Sequence, residues 1–361
     1  MKIKLLKPYY PKKIGNKIDK LLKSGQITEG FYTNLFESKL VKFLNNPNCV
    51  VVNSGTSGLT LIYHMLNLKA DEEVITTPFT CMATNEPLFN AKIKFKFCDV
   101  EPETGNASIN SILKLITKKT RAIVVVHWGG QPFNVPLLRS KIRKDIKIVE
   151  DAAHALGAEI NGKKIGNHGD FICFSFQAVK HIHTGDGGLV VCKNKNYANK
   201  ARQLRWFGLS RNYNGNKWLQ DIKYSGFKFH LNNIGGLIGC EQMKYLDKIL
   251  SIHMRNGRYY DNNIINKKIK LVKRYKNLKS SYWIYSIFVD DKKKFKKFMS
   301  NYFIECDEIS FRNDKYSVFK KIKIQETRGL KYIDRHLINI PVGPWLTLKK
   351  IKYITKIINQ Y

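Results

Sequence analysis

Acidic residues are scarce in this chain: 28 Asp and Glu stand against 63 Lys and Arg in 361 residues, a formal charge of +35. So large an excess attracts anions such as nucleotides and invites a nucleic-acid reading. Arginine is scarce as well, only 12 of the 63 cations, yet the planar arginine fork is what grips phosphates and base edges two acceptors at a time. The lysines are spread along the chain, and their densest run, Lys292–Lys297, reads as the solvated face of one helix. The charge therefore argues for lysine-rich ordinary surfaces and against a nucleic-acid partner. Long apolar runs are missing too. The strongest, Ala122–Val126, is strand-sized and far short of the ~18 residues of a membrane span. Met1–Lys13 reaches Pro8 before a signal-peptide core forms, which reads as unprocessed. The seven cysteines are scattered, odd in number and without a C-x-x-C pair. That excludes a disulfide framework or zinc ribbon and points to a reducing, cytoplasmic setting.

A composition 43 % hydrophobic and 12 % aromatic supplies a packed core, and the length exceeds the roughly 250–300 residues over which one core keeps growing, so two domains are expected. Helix-like stretches at Lys17–Leu22 and Asn34–Leu44 flank Gly25 and Gly30. Strand-like runs follow at 73–77, 93–98, 122–126, 146–150, 171–176 and 188–192, with helical patterns beginning near Ser57, Ala83, Asn110 and Pro136. Strand–helix alternation of this kind implies an α/β layer with a mostly parallel sheet. After Trp206 the pattern loosens through Asn- and Gly-rich sequence to about Tyr245, and beyond it a strand at Trp283–Val289 mixes with Lys-faced helices at 292–301 and 347–359. The expected division is 1–245 and 246–361.

Four local patterns carry chemistry. Val51-Val52-Asn53-Ser54-Gly55-Thr56-Ser57-Gly58 places Gly and hydroxyl residues at the start of a helix, where free N–H groups and the dipole suit a phosphate. It lacks the Gly-Lys-Ser/Thr of a P-loop, and an ordinary Ser/Thr cap reads equally well. In Ile148-Val149-Glu150-Asp151-Ala152-Ala153-His154, acids fall where an apolar strand ends, the ligand edge of a parallel sheet. Small residues follow that let a planar group approach, although an N-cap Asp beside a satisfied His has the same signature. In Phe171-Ile172-Cys173-Phe174-Ser175-Phe176-Gln177-Ala178-Val179-Lys180, a lysine directly follows a buried aromatic strand, and a desolvated lysine is a nucleophile towards carbonyls. The bland alternative is one more surface lysine. His181 and His183 nearby lack partners at ligand spacing, so no metal is expected. Gly226–Asn233 is a polar/aromatic alternation suited to a loop at an interface. Together the four patterns fit one cofactor: pyridoxal phosphate needs a phosphate cup, an acid for its ring nitrogen, a flat slot for its ring and a lysine.

With these residues in order, the chain resembles the DegT/StrS-type sugar aminotransferases over about Ser24–Ile357. The resemblance rests on Ser24–Gly30, Asn53–Ser57, Thr77–Thr84, Val126–Pro132, Glu150–Ala155, Phe174–Gly188 and Ile338–Thr347, with Asp151 and Lys180 separated by 29 residues. It implies fold type I: a large α/β domain on a seven-stranded, mostly parallel sheet and a smaller α+β C-terminal domain, in a homodimer with shared active sites. It implies that Lys180 is the catalytic, Schiff-base lysine, that Asp151 pairs with the ring nitrogen and His154 lies beside the ring, and that Gly55, Thr56, Ser57 and Ser175 hold the phosphate. Lys228 stands where many relatives carry Asn, in a loop reaching the phosphate from the neighbouring subunit. Cys81 stands where an aromatic often stacks on the ring. His230 and Asn233 replace a common Arg and Asp, and Asn134 replaces an Asp. The implied reaction moves an amino group from L-glutamate to a nucleotide-linked keto-deoxy sugar, a 4-keto-6-deoxyhexose, for a surface glycan or natural product. Two alternatives remain: a sugar 3-dehydratase of the same family, which carries His in place of the lysine, and a non-catalytic basic protein on this fold.

Overall fold

The computed structural model describes residues 2–361 apart from 212, 217, 218, 323 and 326. The short apolar runs become strands β1 (Cys49–Val52), β2 (Glu73–Thr76), β3 (Lys94–Phe97), β4 (Thr120–Val126), β5 (Lys147–Asp151), β6 (Glu159–Ile160), β7 (Lys163–Lys164), β8 (Phe171–Ser175) and β9 (Gly188–Cys192). Seven of them form one sheet in the order β1-β9-β8-β5-β4-β2-β3. All neighbours are parallel except where β9 runs against β1 and β8. Alternation along the strands sends side chains into two cores. Val51, Ile75, Ile123, Ile148 and Val191 pack with Phe36, Leu40 and Leu138 on one face, and Val50, Val74, Val124, Val149 and Val190 pack with Leu59, Ile62 and Leu88 on the other. Burying each such side chain contributes about 1.5–3 kcal/mol, which is why short strands with no polar face suffice in a sheet covered on both sides.

The loosened stretch after Trp206 contains an element that periodicity does not reveal: Asn233–Met243 is a helix, capped by Asn232, whose side chain accepts from the Gly235 N–H. Its glycines serve a close approach. A Cβ on Gly236 would come within 2.5 Å of the Thr33 backbone, and one on Gly239 within 2.7 Å of the Phe36 ring. Helix 233–243 can therefore press against helix Phe31–Leu44, at the cost of the apolar stripe that would announce a helix in sequence.

Beyond it, the 18-residue helix Leu246–Asn263 leads into β10 (Lys270–Leu271), β11 (Leu278–Lys279), β12 (Tyr285–Phe288) and β13 (Leu337–Ile340). An antiparallel sheet β10-β12-β13 carries the C-terminal part, backed by the helix Lys292–Asn301, whose Phe295 and Met299 are buried beneath the lysine run, and by the helix Leu348–Gln360, capped by Thr347. A second small sheet, β11-β6-β7, stitches this part to the first. No helix among the described residues is long and apolar enough to cross a membrane.

Candidate active site

Strands β1, β2, β4, β5 and β8 point the same way, so their C-terminal ends share one edge of the sheet. Asp151 closes β5 there, 4 % exposed. Both of its carboxylate oxygens are taken up by the chain: the Thr84 hydroxyl donates to Oδ2 at 2.6 Å, and the Ala153 N–H donates to Oδ1 at 3.1 Å. Glu150, one residue earlier, points to the other face and is wholly buried with His127. The Phe133 N–H donates to His127 Nδ1 at 2.9 Å, so the ring proton sits on Nε2 and is donated to Glu150 Oε2 at 2.8 Å. Gly169 N–H donates to the other Glu150 oxygen. The His127 backbone N–H in turn donates to the Asp151 carbonyl at 3.1 Å. The two acids thus do different work: Glu150 fastens strand ends inside the core, and Asp151 faces the cleft.

Lys180 follows β8 in a turn closed by Phe176 N–H to Gly187 O and Thr184 N–H to Phe176 O. Its Nζ lies 4.0 Å from the centroid of the Trp283 ring. Trp283 stacks on His154 at 3.8 Å with 14° between the planes, and its Nε1–H donates to the Val179 carbonyl at 2.8 Å. Burial pushes the Lys180 ammonium down to about 8, against the opposing pull of Asp151 and the Cys81 thiol. Burial also holds His154 well below its ordinary value, helped by repulsion from Lys180 and His181. A lysine in this state reaches its neutral, nucleophilic form with little alkali. His181 turns away: its Nε2–H donates to the Ser281 carbonyl at 3.1 Å, and its ring meets His253 edge-on at 4.7 Å.

The phosphate-turn residues open the helix Gly55–Met65. Ser54 caps it by accepting from the Ser57 N–H, and the Ser54 and Ser57 hydroxyls are bonded at 2.9 Å. The first-turn N–H groups of Gly55 and Thr56 have no helix carbonyl to reach. Ser175, at the end of β8, abuts Gly55, where an added Cβ would stand 3.0 Å away. Cys81 is exposed at the start of helix Met82–Asn90. The Gly226–Asn233 segment is not a detached loop. The Asn53 N–H donates to the Phe229 carbonyl and the Asn53 side chain to the Lys228 carbonyl, so the segment is strapped to the phosphate turn of its own chain, and the Lys228 side chain is exposed. Asn233 belongs to the helix behind it, its side-chain oxygen accepting from the Tyr32 N–H. Among the described residues no group of three or more His, Cys, Asp or Glu is placed to hold a metal.

Two residues of the cleft escape a reading of the sequence. Thr84 lies inside the family-like segment Thr77–Thr84 but only folding reveals its partner, and Trp283 is indistinguishable from a strand residue until the C-terminal part is docked.

The lysine and acid at strand ends, the capped turn and the antiparallel β9 define the class, a fold-type-I transferase. The chain belongs to the DegT/DnrJ/EryC1/StrS aminotransferase family, whose pattern matches residues 9–359; the family is pyridoxal-phosphate-dependent. The sugar aminotransferase CalS13 from Micromonospora echinospora superposes with a TM-score of 0.95 at 30 % identity, covering 99 % of each chain. GDP-perosamine synthase of Vibrio cholerae is 26 % identical over 364 residues, 98 % of each protein. An uncharacterized protein of Methanocaldococcus jannaschii is 39 % identical over 235 residues, a match covering 63 % of this chain and 61 % of that one. The residues present fit the family's cofactor. The His154 Nδ1 is buried without a hydrogen-bond partner, Lys180 lies close enough to repel its charged form, and the chain also supplies a carboxylate suited to a cationic ring nitrogen and a helix-opening turn suited to a phosphate.

Proposed function

We propose that this chain is an aminotransferase acting on a nucleotide-linked keto-deoxy sugar, with L-glutamate as amino donor and a 4-keto-6-deoxyhexose as acceptor. The observation that carries the reading is Lys180, whose Nζ lies over the Trp283 ring that stacks on His154, within electrostatic reach of Asp151, both of whose carboxylate oxygens are hydrogen-bonded. Pyridoxal phosphate bound there supplies the electron sink that lets an amino group leave one carbon and join another. Lys180 Nζ is its attachment point and afterwards carries the proton to and from the substrate carbon. Asp151 would pair with the ring nitrogen and keep its proton, His154 would lie beside the ring, and the Gly55 and Thr56 N–H groups with Ser57 and Ser175 would hold the phosphate. Cys81 or Met82 would line the slot, Cys81 lying near enough to Lys180 to act on its charge.

The same reading takes residues 1–245 as the cofactor-binding domain and 246–361 as the smaller domain, and takes the active species as a homodimer in which exposed Lys228 reaches the partner's phosphate. A fully active monomer at high dilution, seen by sedimentation, would remove the shared site. The direction of His181, into the protein and away from the cleft, supports transamination over the dehydratase alternative. The relatives named for sugar transamination support the substrate class, and the basic surface suits the diphosphate of a nucleotide-linked acceptor.

The test is to incubate the protein with glutamate and a panel of nucleotide-linked keto-sugars and follow 2-oxoglutarate release. Release dependent on a keto-sugar is the expected result. Turnover of simple keto acids alone would overturn the sugar assignment and leave the aminotransferase chemistry standing.

A further inference from the structure

Asp151 sits at the end of a chain of hydroxyls whose direction the structure determines. The carboxylate can only accept, so the Thr84 proton is committed to Asp151 Oδ2. Thr80 Oγ1 lies 2.7 Å from Thr84 Oγ1, and with Thr84's only proton already used, Thr80 must be the donor in that pair. Both threonines are buried. The result is a polarised relay, Thr80 to Thr84 to Asp151, in which each bond strengthens the next.

The relay is fastened from the C-terminal part. Asn313, wholly buried, donates from its side chain to the Thr80 carbonyl at 2.9 Å and from its backbone to the Pro78 carbonyl at 2.8 Å. Its side-chain oxygen accepts from Asn85 at 2.7 Å, and Asn85 also donates to the Thr77 carbonyl. Tyr63 fixes the other side of the relay by donating to the Thr84 carbonyl at 2.8 Å. A buried asparagine arriving from 228 residues further along the chain therefore holds the segment 77–85, which runs into the helix Met82–Asn90, and with it the last donor to the acid.

We infer that Thr84, Thr80 and Asn313 are positioning residues that orient the Asp151 carboxylate, and that Asn313 makes this orientation depend on the seating of the C-terminal segment 311–316. The inference rests on the reading of Asp151 as the ring-nitrogen partner of pyridoxal phosphate.

The experiment loads the full chain with pyridoxal phosphate and records the visible spectrum against pH, together with single-turnover bleaching by glutamate. Variants are Thr84→Val, Thr84→Ser, Thr80→Val, Asn313→Ala and the double variant Thr84→Val/Asp151→Asn. Thr84→Val should bind cofactor but shift the midpoint of the spectral titration and slow bleaching about 10–100-fold at saturating glutamate. Thr84→Ser should restore the rate to within about 3-fold, and Thr80→Val and Asn313→Ala should move the midpoint in the same direction by less. If Thr84 acts through Asp151, adding Thr84→Val to Asp151→Asn should slow bleaching by no more than about 2-fold further. A wild-type spectrum and rate in Thr84→Val, or additive losses in the double variant, would overturn the inference. Should Thr84→Val fail to fold, Thr80→Val leaves Asp151 with its direct donor, and an unchanged titration there would be equally decisive. A wild-type protein that acquires no visible absorbance would instead sink the cofactor reading itself.

Discussion

At the Asp151 end of the cleft, both carboxylate oxygens, the carbonyl behind them and the neighbouring strand end all have partners supplied by the same chain. At the Ser57 end, Thr56 and Lys228 are exposed, the Gly55 and Thr56 N–H groups have no helix carbonyl to reach, and the side-chain pair among the described residues there is Ser54 with Ser57. The contrast teaches where preorganisation is needed. On the proposed reading Asp151 keeps a proton on a ring nitrogen, a task that works only in a set orientation, and its carboxylate is already fixed by Thr84 and Ala153. A phosphate brings its own charge and acceptors, and a partly open cup can be completed by it and, in the homodimer proposed above, by a second subunit.

The sharpest way to break this comparison is at the lysine. Lys180→Ala should abolish turnover and the visible absorbance of the loaded protein, as seen in a spectrophotometer; a yellow, active variant would show that the ring end is elsewhere. Asp151→Asn comes next. It should keep the cofactor bound while slowing glutamate-driven bleaching by about 100–1000-fold, because the amide does not supply the charge that holds the ring proton. The phosphate end should respond in the opposite sense. Ser57→Ala should weaken cofactor binding by about 10-fold in an absorbance titration and leave the rate at saturating cofactor within about 2-fold.

Two smaller effects concern stability and the sign of burial. In the cofactor-free chain desolvation of the half-buried Lys180 cation brings its folded value to about 8, below the ordinary 10.5. Below pH 8 both folded and unfolded chains carry the proton and the full burial cost is present; between pH 8 and 10.5 the unfolded chain holds more protons and folding gains stability as pH rises. Lys180→Met should therefore stabilise the cofactor-free protein at pH 7 by on the order of 1–3 kcal/mol, a gap that closes towards pH 10.5 in thermal melts. His253 is a smaller case of the same kind. Burial pushes it down to about 4, so the unfolded chain binds the extra proton between about pH 6.5 and 4, and stability falls as pH drops through that window. His253→Asn, which can keep a donor towards the Tyr282 carbonyl, should flatten that acid loss by about 2 kcal/mol.

Much of the ring end was legible before folding. Apolar runs stop at Asp151 and Ser175, and a strand that ends in an acid or runs into a lysine announces its ligand edge. The helix 233–243 is not legible in the sequence, which only loosens there, because a helix that packs through glycine contact carries no apolar period. Trp283 and Asn313 were invisible for a different reason. They meet Lys180 and the segment 77–85 across more than a hundred residues of chain, and no local pattern encodes a contact made by docking one part of the chain on another. Lys228 shows a third case: its polar/aromatic segment suits a loop at an interface, and folding bonds its backbone to Asn53 of the same chain while its side chain stays exposed.

The most direct measurement of the central claim is chemical. The protein loaded with pyridoxal phosphate is reduced with borohydride, digested, and the modified peptide sequenced by mass spectrometry. The account predicts one pyridoxyl group per chain, on Lys180, and none on that peptide when glutamate has first discharged the lysine. Labelling spread over surface lysines, or fixed at a single lysine other than Lys180, would contradict it.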